Sequence, residues 1–267
     1  MNASGRHMHF NLCHGDCFGP NHTKCPWQYG PAIAQSWRTS PDHTWEWNST
    51  KSVLDTRLRA IPADLAGGAF GWNDLDMLQT GNYGQMAAPG GQHGWGAQMT
   101  EVEYKTEFSM WAILASPLTI TTPLLNCSKT DQAHGDFTPG RCKPSLTDLQ
   151  KEILFNSDIL RVNQDVTPGG RLLAYADTDG GNRTMLIRRD LSDGSLAIAL
   201  YNPTDSDALA SVDFARHLGW AKPASAAVRD LWKRAEVGVF TDRFPSAAEG
   251  SVAVAAHATI VLRLSRV

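Results

Sequence analysis

Two hydrophobic periods divide the chain. Up to about residue 165, short apolar runs alternate with stripes at helical spacing; from about residue 170 the period becomes two. His9 to Cys13 reads as a strand that ends in the Gly15-Asp16 turn. Tyr29-Gly30-Pro31 opens a short predicted helix over 32–37. Ser49 to Ala60 is helical by pattern, with Leu54, Leu58 and Ile61 on one face and Pro62 as its stop. Thr100 and Glu103 form a capping box, after which Tyr104, Phe108, Trp111, Ala112 and Ala115 recur every three or four residues. Residues 117–121 read as a buried strand. Ser145 with Asp148 begins a further helix that turns Leu146, Leu149, Ile153 and Leu160 inward.

Counted this way, residues 1 to about 165 give four strand-then-helix units. Such alternation predicts a parallel sheet. Four units are half of an eightfold (β/α)8 barrel, whose active sites sit at the C-terminal ends of the strands. Asp42 and Asp76 fall at such ends. In the period-two region, Met185 to Ile187, Leu196 to Tyr201, Val252 to Val254 and Ile260 to Leu264 alternate or run apolar. Ser192-Asp193-Gly194 marks a hairpin between the first two. The expected fold is therefore α/β plus all-β: half a barrel over 1–166, then a small antiparallel β-sandwich over 167–267.

Composition narrows the function classes. The 267 residues carry a formal net charge of −3 and no Lys/Arg run, so the footprint of a nucleic-acid binder is missing. No apolar run reaches the length of a membrane span. Five Asn-x-Ser/Thr sequons, at Asn2, Asn21, Asn48, Asn126 and Asn182, exceed chance and point to the secretory pathway. The segment from Met1 to Arg6 has no signal-peptide pattern, so upstream sequence is expected. Among five cysteines, Cys127 and Cys142 bracket a polar stretch and are expected to clip it as a loop. Two of Cys13, Cys17 and Cys25 can pair, which leaves one thiol over.

The candidate chemistry lies in two segments, Ser36-Trp37-Arg38-Thr39-Ser40-Pro41-Asp42 and Gly71-Trp72-Asn73-Asp74-Leu75-Asp76-Met77-Leu78. Carboxylates flanked by aromatics are how proteins hold and cleave sugars: one carboxyl protonates the glycosidic oxygen, and a second stabilises the cation-like carbon. Asp42 is either that proton donor or a helix N-cap. Arg38 either orients a carboxylate or sugar hydroxyl with its fork, or forms a structural ion pair. Asp74 either supports the sugar-contacting groups from behind or is structural. His14 either touches sugar or caps a strand end, and Trp45 and Trp47 either stack on sugar or pack. His7, His9 and His14 lack metal-site spacing, and no metal is expected. A Gly-x-Ser-x-Gly elbow and a Walker lysine are both missing.

These segments resemble the retaining α-galactosidases, the melibiase-type glycoside hydrolases with a (β/α)8 barrel. Phe10-Asn11-Leu12-Cys13 is similar to the family's fifth strand, Trp37 to Asp42 to its sixth, Trp72 to Leu78 to its seventh and Trp111 to Leu118 to its eighth. Asn163-Gln164-Asp165 is similar to the exit into the C-terminal β domain. The resemblance implies that Asp42 is the acid/base and that Arg38, Asp76, Met77 and His14 contact the sugar. It implies an α-galactoside substrate, no cofactor, a secreted or lysosomal/vacuolar location, and a homodimer in the intact enzyme. The family's nucleophile is an Asp on the fourth strand in a Lys-x-Asp-x-Cys context. No such segment is present, so strands one to four are expected upstream of Met1. Cys13-His14-Gly15 departs from the family's Cys-Glu-Trp, which leaves galactose, N-acetylgalactosamine and arabinopyranose open. The competing expectation is a truncated, non-catalytic homologue or sugar-binding remnant.

Overall fold

A computed structural model gives the architecture. It describes residues 5–13, 17, 24–62, 65, 67–68, 71–80, 99–122, 124–126, 143–144, 146–178, 180–181 and 183–267. Strands β1 (Asn11–Leu12), β2 (Ser36–Arg38) and β3 (Trp72–Asp74) form a parallel sheet in that order. Asn11 lies opposite Ser36, and Ser36 opposite Trp72. The connection from β1 to β2 carries the short helix α1 (Pro26–Tyr29) and a 3-10 turn over Gly30–Ala32. The predicted helix over 32–37 is thus corrected. Its last two residues, Ser36 and Trp37, belong to β2, because Trp37 is the fully buried pin of the sheet, as the sixth-strand resemblance from Trp37 onward implies. A Cβ at Gly30 would lie 2.5 Å from the Trp37 ring, and one at Gly71 would lie 2.6 Å from it, so only glycine permits this approach. Trp37 Nε1 donates to Asn73 Oδ1 at 2.7 Å and ties β2 to β3.

Helix α2 (Trp47–Arg59) joins β2 to β3 and buries Val53, Leu54 and Leu58. Helix α3 (Glu101–Ile113) begins at the predicted capping box, with Thr100 accepting from Glu103 N. It is buried nearly all round from Glu103 to Ile113, as a helix packed on several sides must be. Trp111 to Ile113 belong to this helix, so the eighth-strand assignment over Trp111 to Leu118 is corrected. Residues 117–121 make one parallel bridge, Leu78 to Ile120, and are half-buried or exposed rather than a buried strand. The described residues thus show three parallel strands and a bridge in place of four strands.

Strands β4 (Leu125–Asn126) and β5 (Lys143–Pro144) form a two-stranded ribbon. Helices α4 (Asp148–Leu154) and α5 (Ser157–Asn163) follow. The cap of α4 is Thr147 with Gln150 rather than Ser145 with Asp148, since the Thr147 hydroxyl accepts from Gln150 N and the Gln150 amide accepts from Thr147 N. Asn156 breaks the pattern between the two helices. Its Oδ1 accepts from Asp158 N and Ile159 N, the N-cap interaction that starts α5.

The remaining strands are β6 (Arg171–Tyr175), β7 (Met185–Asp190), β8 (Leu196–Tyr201), β9 (Ala208–Ala210), β10 (Val212–Asp213), β11 (Ser225–Asp230), β12 (Ala235–Thr241), β13 (Arg243–Phe244), β14 (Val252–Val254) and β15 (Thr259–Arg266). A short helix α6 (Phe214–Leu218) follows β10. Six strands form an antiparallel sheet in the order β12-β11-β15-β8-β7-β6, and β9-β14 and β10-β13 are two-stranded. The predicted β7–β8 hairpin is present: Leu191 N bonds Ser195 O, and Gly194 N bonds Leu191 O. Alternation along β8 and β15 sends Ile198, Leu200, Leu262 and Leu264 to a core with Phe214 and Phe244. The opposite face sends Ala199, Tyr201 and Val261 to a second core with Phe108, Trp111 and Ile159.

Arg189 of β7 crosses between the two regions. Its buried guanidinium donates to the carbonyls of Ala112, Val162, Asp165 and Thr167, at 2.6–3.1 Å. These carbonyls lie at and beyond the C-terminal ends of α3 and α5, where a cation is favoured and acceptors would otherwise lack donors. Cys17 and Cys25 form a disulfide and Cys13 is a free, exposed thiol. Cys127 and Cys142 lie outside the described residues, as do Asn2, Asn21 and Asn182. Among the described residues, no helix is long and apolar enough to cross a membrane.

Candidate active site

The C-terminal ends of β2 and β3 present Arg38, Asp42, Asp74, Asp76 and Met77 to one region. Arg38 is buried at the last position of β2. One terminal nitrogen, Nη2, lies 2.8 Å from Asp76 Oδ2, 3.3 Å from Asp42 Oδ1 and 3.2 Å from Ser40 O. A single guanidinium nitrogen thus links both predicted carboxylates. Arg38 Nε is buried with no hydrogen-bond partner. The Asp42 side chain is 73% exposed, whereas that of Asp76 is 11% exposed. Asp42 therefore offers its carboxylate to whatever enters, and Asp76 is a fixed anchor. Asp42 is not a helix cap, since α2 begins at Trp47 with Glu46 before it.

Asp76 has φ +78°, a left-handed conformation unusual for a residue with a side chain. The turn is held from all sides. Asp76 N donates to Asp74 Oδ1 at 2.8 Å, and Asn11 Nδ2 donates to Asp74 Oδ2 at 2.7 Å. Asp76 Oδ1 accepts from Met77 N and Oδ2 accepts from His43 N, both at 2.7 Å. Trp111 Nε1 donates to Asp76 O at 2.7 Å. Asp74 is therefore structural, and Met77 beside the turn is 47% exposed.

Three residues that the sequence does not place at the site underlie this turn. His43 is buried, with Nδ1 3.0 Å from Met77 O and Nε2 2.8 Å from Thr50 Oγ1. Burial pushes its imidazole down to about 4, against smaller upward pulls from the Met77 carbonyl and Asp76. The neutral ring keeps its hydrogen on Nδ1 for Met77 O and accepts the Thr50 hydroxyl at Nε2; Met99 Sδ, also 3.1 Å from Thr50 Oγ1, is the weaker acceptor. Glu107 on α3 is fully buried. Burial pushes its carboxyl up to about 8, although Gln79 N at 2.6 Å and Thr80 Oγ1 at 2.9 Å lean the other way. Glu107 Oε1 stands 3.7 Å from His43 Nδ1, but that nitrogen already serves Met77 O. Near neutral pH this is a contact of two neutral groups, not an ion pair. Trp111 packs its ring against His43 with centroids 5.0 Å apart. The sequence carries one signal: Glu107 sits three residues after Tyr104 and four before Trp111, on the apolar stripe of the helix.

His14 lies outside the described residues. Trp47 stacks on His257 at 4.6 Å between centroids and packs rather than faces the site. His9 bonds Ser36 Oγ through Nε2 at 2.8 Å, at the opposite end of β2 from Asp42. Among the described residues, no group of three His, Cys, Asp or Glu side chains could hold a metal ion.

Comparison with known proteins fits this arrangement. Residues 1–134, half of the chain, match the family described as alpha galactosidase A. This chain belongs to the α-galactosidase family. Residues 182–264 match the family's C-terminal beta sandwich domain. The relatives include a probable alpha-galactosidase of Dictyostelium discoideum, 28% identical over 99% of this chain and 56% of that protein. An alpha-galactosidase of Cyamopsis tetragonoloba is 27% identical over 86% of this chain and 45% of that protein. This family member thus spans about half the length of these curated relatives. In fold it is similar to alpha-galactosidase I from Mortierella vinacea, with a TM-score of 0.71 and 24% identity over 98% of this chain and 59% of that one. A β-L-arabinopyranosidase of glycoside hydrolase family 27 from Geobacillus stearothermophilus has the same TM-score, 0.71, at 21% identity over 99% of this chain and 52% of that one.

Proposed function

We propose that this chain belongs to a glycosidase that removes terminal α-linked galactose by a retaining double displacement. Residues 1–166 furnish the second half of a (β/α)8 barrel, with β1, β2 and β3 as strands five to seven and the stretch that bridges Leu78 at Ile120 in the place of the eighth, and 167–267 the β-sandwich domain. Asp42 is the acid/base: it protonates the leaving oxygen, then takes a proton from the water that opens the covalent intermediate. Arg38, Asp76, Met77 and His14 contact the sugar. The nucleophilic carboxylate comes from outside these 267 residues. The observation that carries this reading is the exposed Asp42 carboxylate, held by the same Arg38 nitrogen that is anchored on the largely enclosed Asp76. Five sequons, of which Asn48 is exposed on α2, support a glycosylated protein of the secretory route, secreted or vacuolar. The intact enzyme is proposed as a homodimer.

A second reading has one observation in its favour. Asp76, the carboxylate beside Asp42, is committed to Arg38, His43 N and Met77 N and cannot serve as a nucleophile. A chain with Asp42 alone would bind sugar without cleaving it. Asp42→Asn in the native protein separates the two. The glycosidase reading expects near-complete loss on α-galactosides with poor leaving groups and a milder loss on activated aryl α-galactosides. Equal loss on both would sink the acid role, and galactose binding without turnover in the unmutated protein would favour the second reading.

A further inference from the structure

We propose that His43 is a positioning residue of this site: its imidazole, locked between Thr50 and the Met77 carbonyl, fixes the left-handed Asp76 turn and thereby the Arg38 fork that faces Asp42. The chain of contacts is continuous. The ring of His43 holds Met77 O, and its backbone N–H holds Asp76 Oδ2. That same Oδ2 receives Arg38 Nη2, which also reaches Asp42. His43 therefore grips the turn at two successive residues, through its ring and through its main chain.

The grip is itself held. Thr50 on α2 presents its hydroxyl to Nε2. Trp111 on α3 lies against the ring and donates to Asp76 O, so ring and turn share one wall. Gln79 Nε2 donates to His43 O at 3.1 Å, while Gln79 N donates to Glu107. Arg38, Asp76 and Glu107 are the charged or titratable groups that face the ring. None of these contacts gives His43 a place at the reacting atoms. A left-handed Asp needs such external support, because a residue with a side chain persists in that conformation only where neighbours over-determine it. A leucine at position 43 would keep the main-chain bond to Asp76 but lose the Met77 and Thr50 bonds.

The test compares His43→Leu, His43→Asn and His43→Gln in the native protein. An asparagine amide can still reach Met77 O from the Nδ1 position, whereas glutamine replaces only the Thr50 side. The first readout is the Arg38 Nε–H resonance, which reports the fork without any turnover. It should shift in His43→Leu and return to its original position in His43→Asn. The second readout is kinetic and rests on the proposed glycosidase activity. kcat on poor leaving groups should fall about 10²-fold in His43→Leu with KM nearly unchanged, the scale expected of a misplaced catalytic group; Asn should restore it. A folded His43→Leu with an unmoved Arg38 resonance would overturn the proposal, as would Asn faring no better than Leu. Should His43→Leu not fold, Asn at the original resonance with Gln displaced supports the assignment, and both at the original resonance refutes it. If the unmutated protein neither binds nor cleaves galactosides, the glycosidase reading fails while the Arg38 resonance still decides the role of His43.

Discussion

Removing the ionisable group of Glu107 should make the protein more stable at alkaline pH, and the size of the effect follows from its burial. The Glu107 carboxyl is raised from 4.5 to about 8. A raised folded-state value means that stability is fully present below pH 4.5 and is lost as pH rises through about 8. The full loss is on the order of 5 kcal/mol at 1.36 kcal/mol per unit. His43 runs the other way. Its value is lowered from 6.5 to about 4, so its contribution is present above pH 6.5 and is lost as pH falls through about 4, by about 3 kcal/mol. Between pH 4.5 and 6.5 the two slopes oppose each other and nearly cancel. From 6.5 to 8 only Glu107 acts, and this pair should cost the fold about 2 kcal/mol. The assay is urea unfolding at pH 5, 6, 7 and 8, with Glu107→Gln beside the unmutated protein. Glutamine keeps a carbonyl to accept from Gln79 N, and its NH2 donates to Thr80 Oγ1 once that hydroxyl turns from donor to acceptor, so both contacts survive. The difference between the two proteins removes the background from all other titrating groups. It should move in favour of Gln from pH 5 to 8. If both proteins show the same slope, Glu107 titrates normally and the argument from burial is wrong.

Other expectations are simpler to read. Arg189→Met should cost about 3 kcal/mol or more by urea unfolding, because it strips donors from buried carbonyls of Ala112 and Val162; a change under 1 kcal/mol would show that water replaces the guanidinium. Native thiol labelling should modify Cys13 alone, and non-reducing peptide mapping should recover the Cys17–Cys25 link seen in the fold. The same map should yield Cys127 joined to Cys142, a clip worth about 3 kcal/mol in the chain-entropy model; finding both as free thiols removes that pairing.

What could be read from the chain beforehand was whatever local chemistry decides. The Thr100 capping box, the α2 stripe ended by Pro62 and the Ser192-Asp193-Gly194 turn each depend on neighbours in sequence, and each appears in the fold. The same holds for the convergence of Arg38, Asp42 and Asp76, since strand-end positions follow from the alternation of elements. The misassigned elements are those that distant residues decide. The local pattern makes Trp37 helical, because the turn before it favours a helix start, whereas the resemblance places it in a strand; its burial between Gly30 and Gly71 decides for the strand. The 111–118 segment is apolar enough for a strand, yet the stripe of α3 claims its first three residues because one continuous core packs round that helix. His43 and Glu107 lie 64 positions apart, and nothing local says that they meet.

The β domain enters the argument about the site through α3. That helix carries Trp111, which holds the Asp76 carbonyl, and Glu107, which holds Gln79 and Thr80. Its placement is set largely from the C-terminal side. Thr106 Oγ1 donates to His257 O at 2.7 Å, Trp232 Nε1 donates to Ser109 Oγ at 2.9 Å, and Arg189 gathers the carbonyls at the end of the helix. One face of the six-stranded sheet shares a core with Phe108 and Trp111. A shift of that sheet would therefore move the wall behind the Asp76 turn before it touched Asp42 itself. The sandwich is part of the scaffold that sets the Arg38 fork, although every residue of the proposed pocket comes from the first half of the chain.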